Sequence, residues 1–284
     1  MLAATAFAIT VCGCASLSTW SEPDANESSA ANGQSPLRKI RRSIELDAQF
    51  VKIRFNPSDP DQLQSMWQWV DETVLPPDTR RALQANGLRV GKAVQPQRLT
   101  SRLENLRSQE ARGELDAFLA SAGVASHKTE GKQTIPMRLG RRHELPVCNP
   151  MAGPQIIIVD DEPQPIGRTL VNPYFLFAIT PQPSRAPAEV RLSIRPEIPY
   201  GDVQMDGLQA SAAFRIDVRR EAWVLDRLAF DLKAGEGDLF VIAETPTRQG
   251  IGKMMLGGKD VNQLEEQTII LLRVANIPTP AEEI

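Results

Sequence analysis

Reactive side chains are few in this chain, and their spacing decides what they can do. The two histidines, His127 and His143, stand sixteen residues apart, the second within Arg141-Arg142-His143-Glu144-Leu145-Pro146. A helical zinc site needs two histidines four apart with a glutamate between, and Pro146 breaks the helix that would carry them. Cys148 and His143 together could make a nucleophile and its base, yet a surface histidine and a half-buried thiol account for both without chemistry. Asp160, Asp161 and Glu162 form an acidic turn, because a hard cation asks for six or more oxygens at set intervals. Gly250-Ile251-Gly252-Lys253 and Gly257-Gly258-Lys259 look like a phosphate cradle, but the residue five before Gly258 is Lys253, and Asp260 stands where a hydroxyl should meet magnesium. No serine lies in a Gly-x-Ser-x-Gly elbow. These patterns predict no catalytic residue, no metal and no cofactor; an enzyme with an acidic site assembled from scattered Asp and Glu is the third reading.

Cys14 is different, because its neighbours prescribe a modification. Residues 1–13, MLAATAFAITVCG, carry no charge, are too short to span a bilayer and suit the apolar core of a signal peptide. Val11-Cys12-Gly13-Cys14 resembles the bacterial lipobox: an aliphatic residue three before the cysteine, a small one just before it, then the thiol that receives lipid. An exported lipoprotein is expected, anchored through Cys14 and facing the periplasm or exterior. Cleavage removes Cys12 and lipid consumes Cys14, so Cys148 is left without an intrachain disulfide partner. A formal charge of −3, from 32 basic and 35 acidic residues, gives no field suited to nucleic acid. Past the signal no apolar run approaches the ~20 residues of a spanning helix.

The elements that must position these residues follow from periodicity. Residues 14–42 read as lipid attachment plus a disordered tether rich in Ser, Ala, Asn, Glu and Pro, closing on the basic run Arg38-Lys39-Ile40-Arg41-Arg42. Ile44, Leu46, Ala48 and Phe50 then alternate with polar residues, the period of a half-buried strand. Leu63, Met66, Trp67 and Val70 recur at helical spacing behind Ser58 or Asp59 as cap, and Trp67 is expected in the core. Pro76-Pro77-Asp78 opens a helix closed by Asn86-Gly87, and residues 88–94 form a strand. Leu99, Leu103 and Leu106 mark another helix, and Leu115, Phe118 and Leu119 one more. Residues 43–130 are therefore predicted to be a small α+β module. Beyond Lys132 short apolar runs separated by Pro, Gly and Asp take over, with strands expected at 134–139, 155–159, 170–180, 189–195, 212–219, 228–233, 238–244 and 268–274. Residues 131–284 are predicted to be a β-rich domain, sandwich-like or a partly closed barrel, so the fold class is α+β. The segment 250–263 is expected to be a mobile loop.

Within that second part, GRTLVNPYFLFAITPQPSRAPAEVRLSIRPEI, residues 167–198, resembles the β-domain of bacterial secretins: a strand ending in Thr180-Pro181, a polar turn, and a strand closing on Pro196-Glu197-Ile198. Residues 228–244, around Gly235-Glu236-Gly237, are similar to the secretin strand pair about a glycine turn, residues 266–274 to its terminal apolar strand, and ELDAQFVKI to the strand that leads in. The whole chain is similar to uncharacterised envelope lipoproteins of planctomycete-type bacteria. The resemblance implies a β topology in which strands 238–244 and 268–274 share a sheet. The expected function is a non-enzymatic envelope interaction and assembly module with a protein partner or self-association, accessory to a secretion-like system; the alternative is a secretin-type pore subunit.

Overall fold

The computed structural model describes residues 43–54, 61–107, 131–161, 163–184, 186, 188–210, 213–259 and 263–278, with backbone alone at 61–62 and 203–219. The signal peptide, Cys14, the tether, the caps Ser58 and Asp59, His127, Glu162 and the helix expected around Phe118 lie outside the described residues. The described residues fall within one compact unit.

Its centre is a seven-stranded sheet built on two strands buried on both faces. β14 (Glu265–Asn276) and β12 (Leu239–Glu244) are nearly continuous apolar runs, Thr268-Ile269-Ile270-Leu271-Leu272 and Leu239-Phe240-Val241-Ile242-Ala243, and they pair antiparallel, Ile242 opposite Ile270. The strand neighbours expected at 238–244 and 268–274 are thus in one sheet. β1 (Ser43–Arg54) lies on the other side of β14, with Phe50 opposite Ile270, and β4 (Gly131–Arg138) on the outer side of β1. β3 (Leu88–Ala93) pairs with β12, and the two-residue β2 (Val70–Asp71) with β3. Strands from both sides of residue 130 share this sheet, so the break expected there separates no two sheets.

The second sheet has five strands: β10 (Ala213–Val224), β9 (Glu189–Ala210), β8 (Leu176–Pro183) and β5 (His143–Pro146) in that order, with β11 (Phe230–Gly235) also on β9. A separate hairpin joins β6 (Pro154–Asp161) to β7 (Gln164–Val171). Every strand pair among the described residues is antiparallel. The sheets are open rather than barrel-closed, and they pack face to face as a sandwich. Phe240, Ile242, Leu272 and Val274 share one buried cluster with Phe175, Phe177, Leu192 and Ile194. The opposite face of the larger sheet is covered by α3 (Pro96–Leu106) and a 3-10 turn, Ser65–Trp69, where Met66, Trp67, Leu99 and Leu103 bury against Val51, Val241 and Ile269. Trp67 is core, as its place on the stripe predicts.

Three departures from the sequence expectations have local causes. The helix expected over Leu63 to Val70 is only α1 (Asp61–Gln64) followed by the 3-10 turn, because Val70 pairs with Ala93 and so leaves the helix for a strand. The strand expected over 170–180 is broken between β7 and β8, where Asn172 adopts φ 49°, donates its N–H to the Gly153 carbonyl, accepts the Gly153 N–H on its side-chain Oδ1 and precedes Pro173. The loop expected at 250–263 is instead α4 (Gly250–Leu256) running into β13 (Gly257–Lys259), which pairs with β14. Ile251, Met255 and Leu256 bury one side of α4. Gly252 serves contact rather than freedom: a Cβ there would stand 2.0 Å from the Gly87 carbonyl oxygen.

Candidate functional site

α2 (Pro77–Ala85) begins at Pro77, where a missing N–H costs nothing, and ends at Asn86-Gly87, with Gly87 at φ 81°. That ending brings Asn86 against two distant segments. Its fully buried amide donates to the Ala82 carbonyl at 3.0 Å and the Asp160 carbonyl at 2.8 Å, and accepts from the Asp160 N–H at 2.8 Å. Its backbone carbonyl accepts from Gly252 at 2.9 Å, and the Gly87 carbonyl from Thr245 at 2.9 Å. The turn between β12 and α4 is thereby fixed, and it carries the most perturbed carboxyl of the described residues.

That carboxyl is Glu244, the last residue of β12, whose side chain is fully enclosed. Burial pushes its pKa up from 4.5 to about 7, against the opposing pull of Arg248 and Lys253. Arg248, in the left-handed region at φ 41°, gives Glu244 Oε2 one bond of 3.1 Å and also binds Glu265 and the Glu266 carbonyl. Glu244 Oε1 has no hydrogen-bond partner. A carboxyl poised near neutrality is the group a general acid would need, but no solvent reaches this one. The nearby depression of about 500 Å³ is lined by Gln64, Gln84, Arg89, Thr245, Thr247 and Gln249, and not by Glu244. The cluster is a clasp between sheet and helix. Nothing in the sequence marked it, since Glu244 and Arg248 are ordinary residues until α4 folds over them.

A second buried carboxylate, Glu197, is fully answered by Arg142 at 2.6 Å and Arg195 at 2.9 Å. The residues weighed from sequence are not brought together. His143 Nε2 accepts the Arg138 N–H at 3.1 Å, and burial holds its pKa below the ordinary value. Cys148 Sγ accepts the Phe175 N–H at 3.4 Å, and burial raises its pKa, away from a reactive thiolate. Asp161 lies 3.5 Å from Arg227 at the β6–β7 turn. Lys253 sits in α4 and Lys259 on β13, in helix and strand rather than in a phosphate-binding loop. Among the described residues, no three His, Cys, Asp or Glu side chains converge as metal ligands, and no helix is long and apolar enough to cross a membrane.

What the structure does hold out is backbone. β9 continues thirteen residues past Glu197, to Ala210, whereas its pairing with β8 stops at Glu197 and with β11 at Ile194. The Pro199 carbonyl still accepts the Tyr174 N–H at 3.0 Å; among the described residues only β10 pairs with β9 from Gly201 to Ala210, with a bulge between Arg219 and Glu221 opposite Gly201 at φ 73°. Beyond Pro199 the β9–β10 ribbon is thus an arm with, among the described residues, an unpaired strand edge on each side. The register sets Met205 opposite Val218, Gly207 opposite Ile216 and Gln209 opposite Phe214 on one face, and Gln204 opposite Arg219, Asp206 opposite Asp217 and Leu208 opposite Arg215 on the other. The β6–β7 hairpin adds an apolar outer face, with Ile156 71% and Ile158 56% exposed. No family model matches the chain, and no curated protein or solved structure shows significant similarity to it.

Proposed function

We propose that this chain is a non-enzymatic exported lipoprotein, held to a membrane by lipid on Cys14, that acts in the cell envelope as an interaction and assembly module accessory to a secretion-like system. The observation that carries the reading is the β9–β10 arm. A long ribbon with open edges exposes unpaired N–H and C=O groups, which proteins otherwise shorten, charge or cover, and another chain can pair with them. The enclosure of Glu244, the carboxyl among the described residues raised to near neutrality, favours a binding role over a catalytic one.

The second reading, a pore subunit of the secretin type, is favoured by the arm's alternation, since a ring of copies could turn the Val203, Met205, Phe214, Ile216 and Val218 positions to lipid. One preparation tests both. Detergent-extracted chain, sized by chromatography and imaged in negative stain, is expected as a monomer or small complex; a ring of on the order of a dozen copies would establish the pore. Cys14→Ser is expected to move the protein from the membrane fraction to the soluble or precursor pool. Wild-type protein found wholly soluble with an uncut N-terminus would end the lipoprotein reading.

A further inference from the structure

A second open edge lies on the other flank of the smaller sheet. Among the described residues β11 pairs with β9 alone, and a groove of about 860 Å³ is lined by Val74, Pro76 and Pro77 together with Arg191, Asp231 and Lys233. On the outward face of the sheet the register puts Lys233 directly opposite Arg191 and Asp231 opposite Ser193. Like charges facing across a strand pair cost stability, so the Lys233–Arg191 pair carries a repulsion that an anion would relieve. Among the described residues Arg191 bonds to the neutral Gln182 side chain and to no acid, and Lys233 is exposed. The groove's third cation, Lys92, is already held by Asp238 at 2.7 Å, and Asp231 is its one lining acid.

We propose that this groove binds an extended acidic peptide that adds a strand to the free edge of β11. β11 is six residues and about 20 Å long at ~3.3 Å per residue; Gly235 at its end donates its N–H to the Asp238 carboxylate and accepts the Asp238 N–H on its carbonyl, so the edge open to a partner is the stretch before it. Alternation then fixes what the peptide presents: carboxylates on the outward side beside Lys233 and within reach of Arg191, small apolar side chains on the inward side against Val74, Pro76 and Pro77. The proposal supplies a partner chemistry for the interaction module and rests on that reading, although it uses a different edge from the arm.

The test uses the full chain in detergent and a fluorescein-labelled peptide of alternating valine and glutamate, read by anisotropy. Saturable binding is expected, weakened by added salt and weakened roughly tenfold or more by the double variant Arg191→Glu, Lys233→Glu. The same valine–glutamate peptide methylated at every backbone nitrogen has the same charge but lacks the N–H groups a strand must donate, and is expected to bind far more weakly. Equal binding of both peptides would reduce the site to diffuse electrostatics and overturn the strand addition, as would valine–glutamate binding indifferent to the charge reversals, or none. Should the double variant instead change the mass of the free chain in sedimentation, the edge belongs to a second copy and the peptide proposal fails. Assembly through the arm is measured separately by size, so failure here with assembly intact sinks this proposal alone.

Discussion

β14 and β9 are the long organising strands of the two sheets, yet β14 is flanked along its length by β1 on one side and by β12 and β13 on the other, whereas β9 leaves β8 and β11 behind and runs on with β10 alone. Their sequences state the difference. Glu265–Asn276 has an apolar centre with no proline or glycine, fit for burial on both faces. β9 meets Pro196, Pro199 and Gly201 where its neighbours end, and two of these lack the N–H that a central strand must donate. The larger sheet holds the fold, and the smaller one spends its longest strand where no strand of the sandwich needs it.

The comparison breaks most directly at the larger sheet's helical cover. Trp67 is 7% exposed, and Arg89 stacks 4.0 Å above its ring while binding Glu72 through two nitrogens and Gln64 through a third. Trp67→Ala removes the largest side chain of that layer and leaves the guanidinium without its ring, at an expected cost of ~3–5 kcal/mol by denaturant unfolding. A loss below ~1 kcal/mol accompanied by loss of a bound partner would make the ring a binding platform and move function to the wrong face.

The clasp gives a smaller effect with a definite sign. Glu244 binds its proton more tightly when folded, with a pKa of about 7 against the ordinary 4.5. Between those values the folded chain holds a proton that the unfolded chain has released, so stability falls as pH rises through the window. At ~1.4 kcal/mol per tenfold change in proton affinity, the loss amounts to ~3 kcal/mol by neutral pH. Glu244→Gln keeps an acceptor for Arg248 and cannot titrate, so its melting temperature is expected to stay flat where the wild type declines. Parallel pH profiles would place the proton elsewhere and remove the clasp from the stability of β12.

How far the sequence foretold this depends on the range of the interaction. Trp67, the start of α2 and its Asn86-Gly87 end were legible, because caps and stripes are decided within a few residues. The pairing of β12 with β14 followed from two apolar runs and a resemblance. The Gly235–Gly237 turn was legible as a turn but not in its destination: β11 stays with β9 while β12 joins the other sheet, so the strands expected to pair around it do not. α4 was missed because glycine reads locally as freedom, and only the backbone of Asn86-Gly87, 165 positions before Gly252, shows why no side chain fits. Glu244 became noticeable for the same reason, through burial that no local pattern encodes. The arm was half seen: strands were expected near both of its flanks, but their extension beyond the sheet is a matter of which neighbours stop.

The smallest expected effect on stability sharpens the comparison furthest. Among the described residues, those between 203 and 219 pair only with one another, between β9 and β10, so excising 203–219 and joining Asp202 to Arg220 through Asn-Gly removes no described strand pair of the sandwich. Asn-Gly supplies the positive φ values of a two-residue hairpin turn, and the Tyr200–Glu221 pair still closes the ribbon's base. The unfolding free energy is expected to change by less than ~1 kcal/mol, a shift of about 2–4 °C in a chain of this size. A small complex found in detergent extracts of the full chain is expected to fall to monomer at the same time, because the open edges go with the excised residues. A fall well beyond that range would mean that the arm is packed into the fold it leaves. Unchanged assembly with an unchanged melting temperature would take the arm out of the interaction altogether and leave the edge of β11 as the surface to pursue.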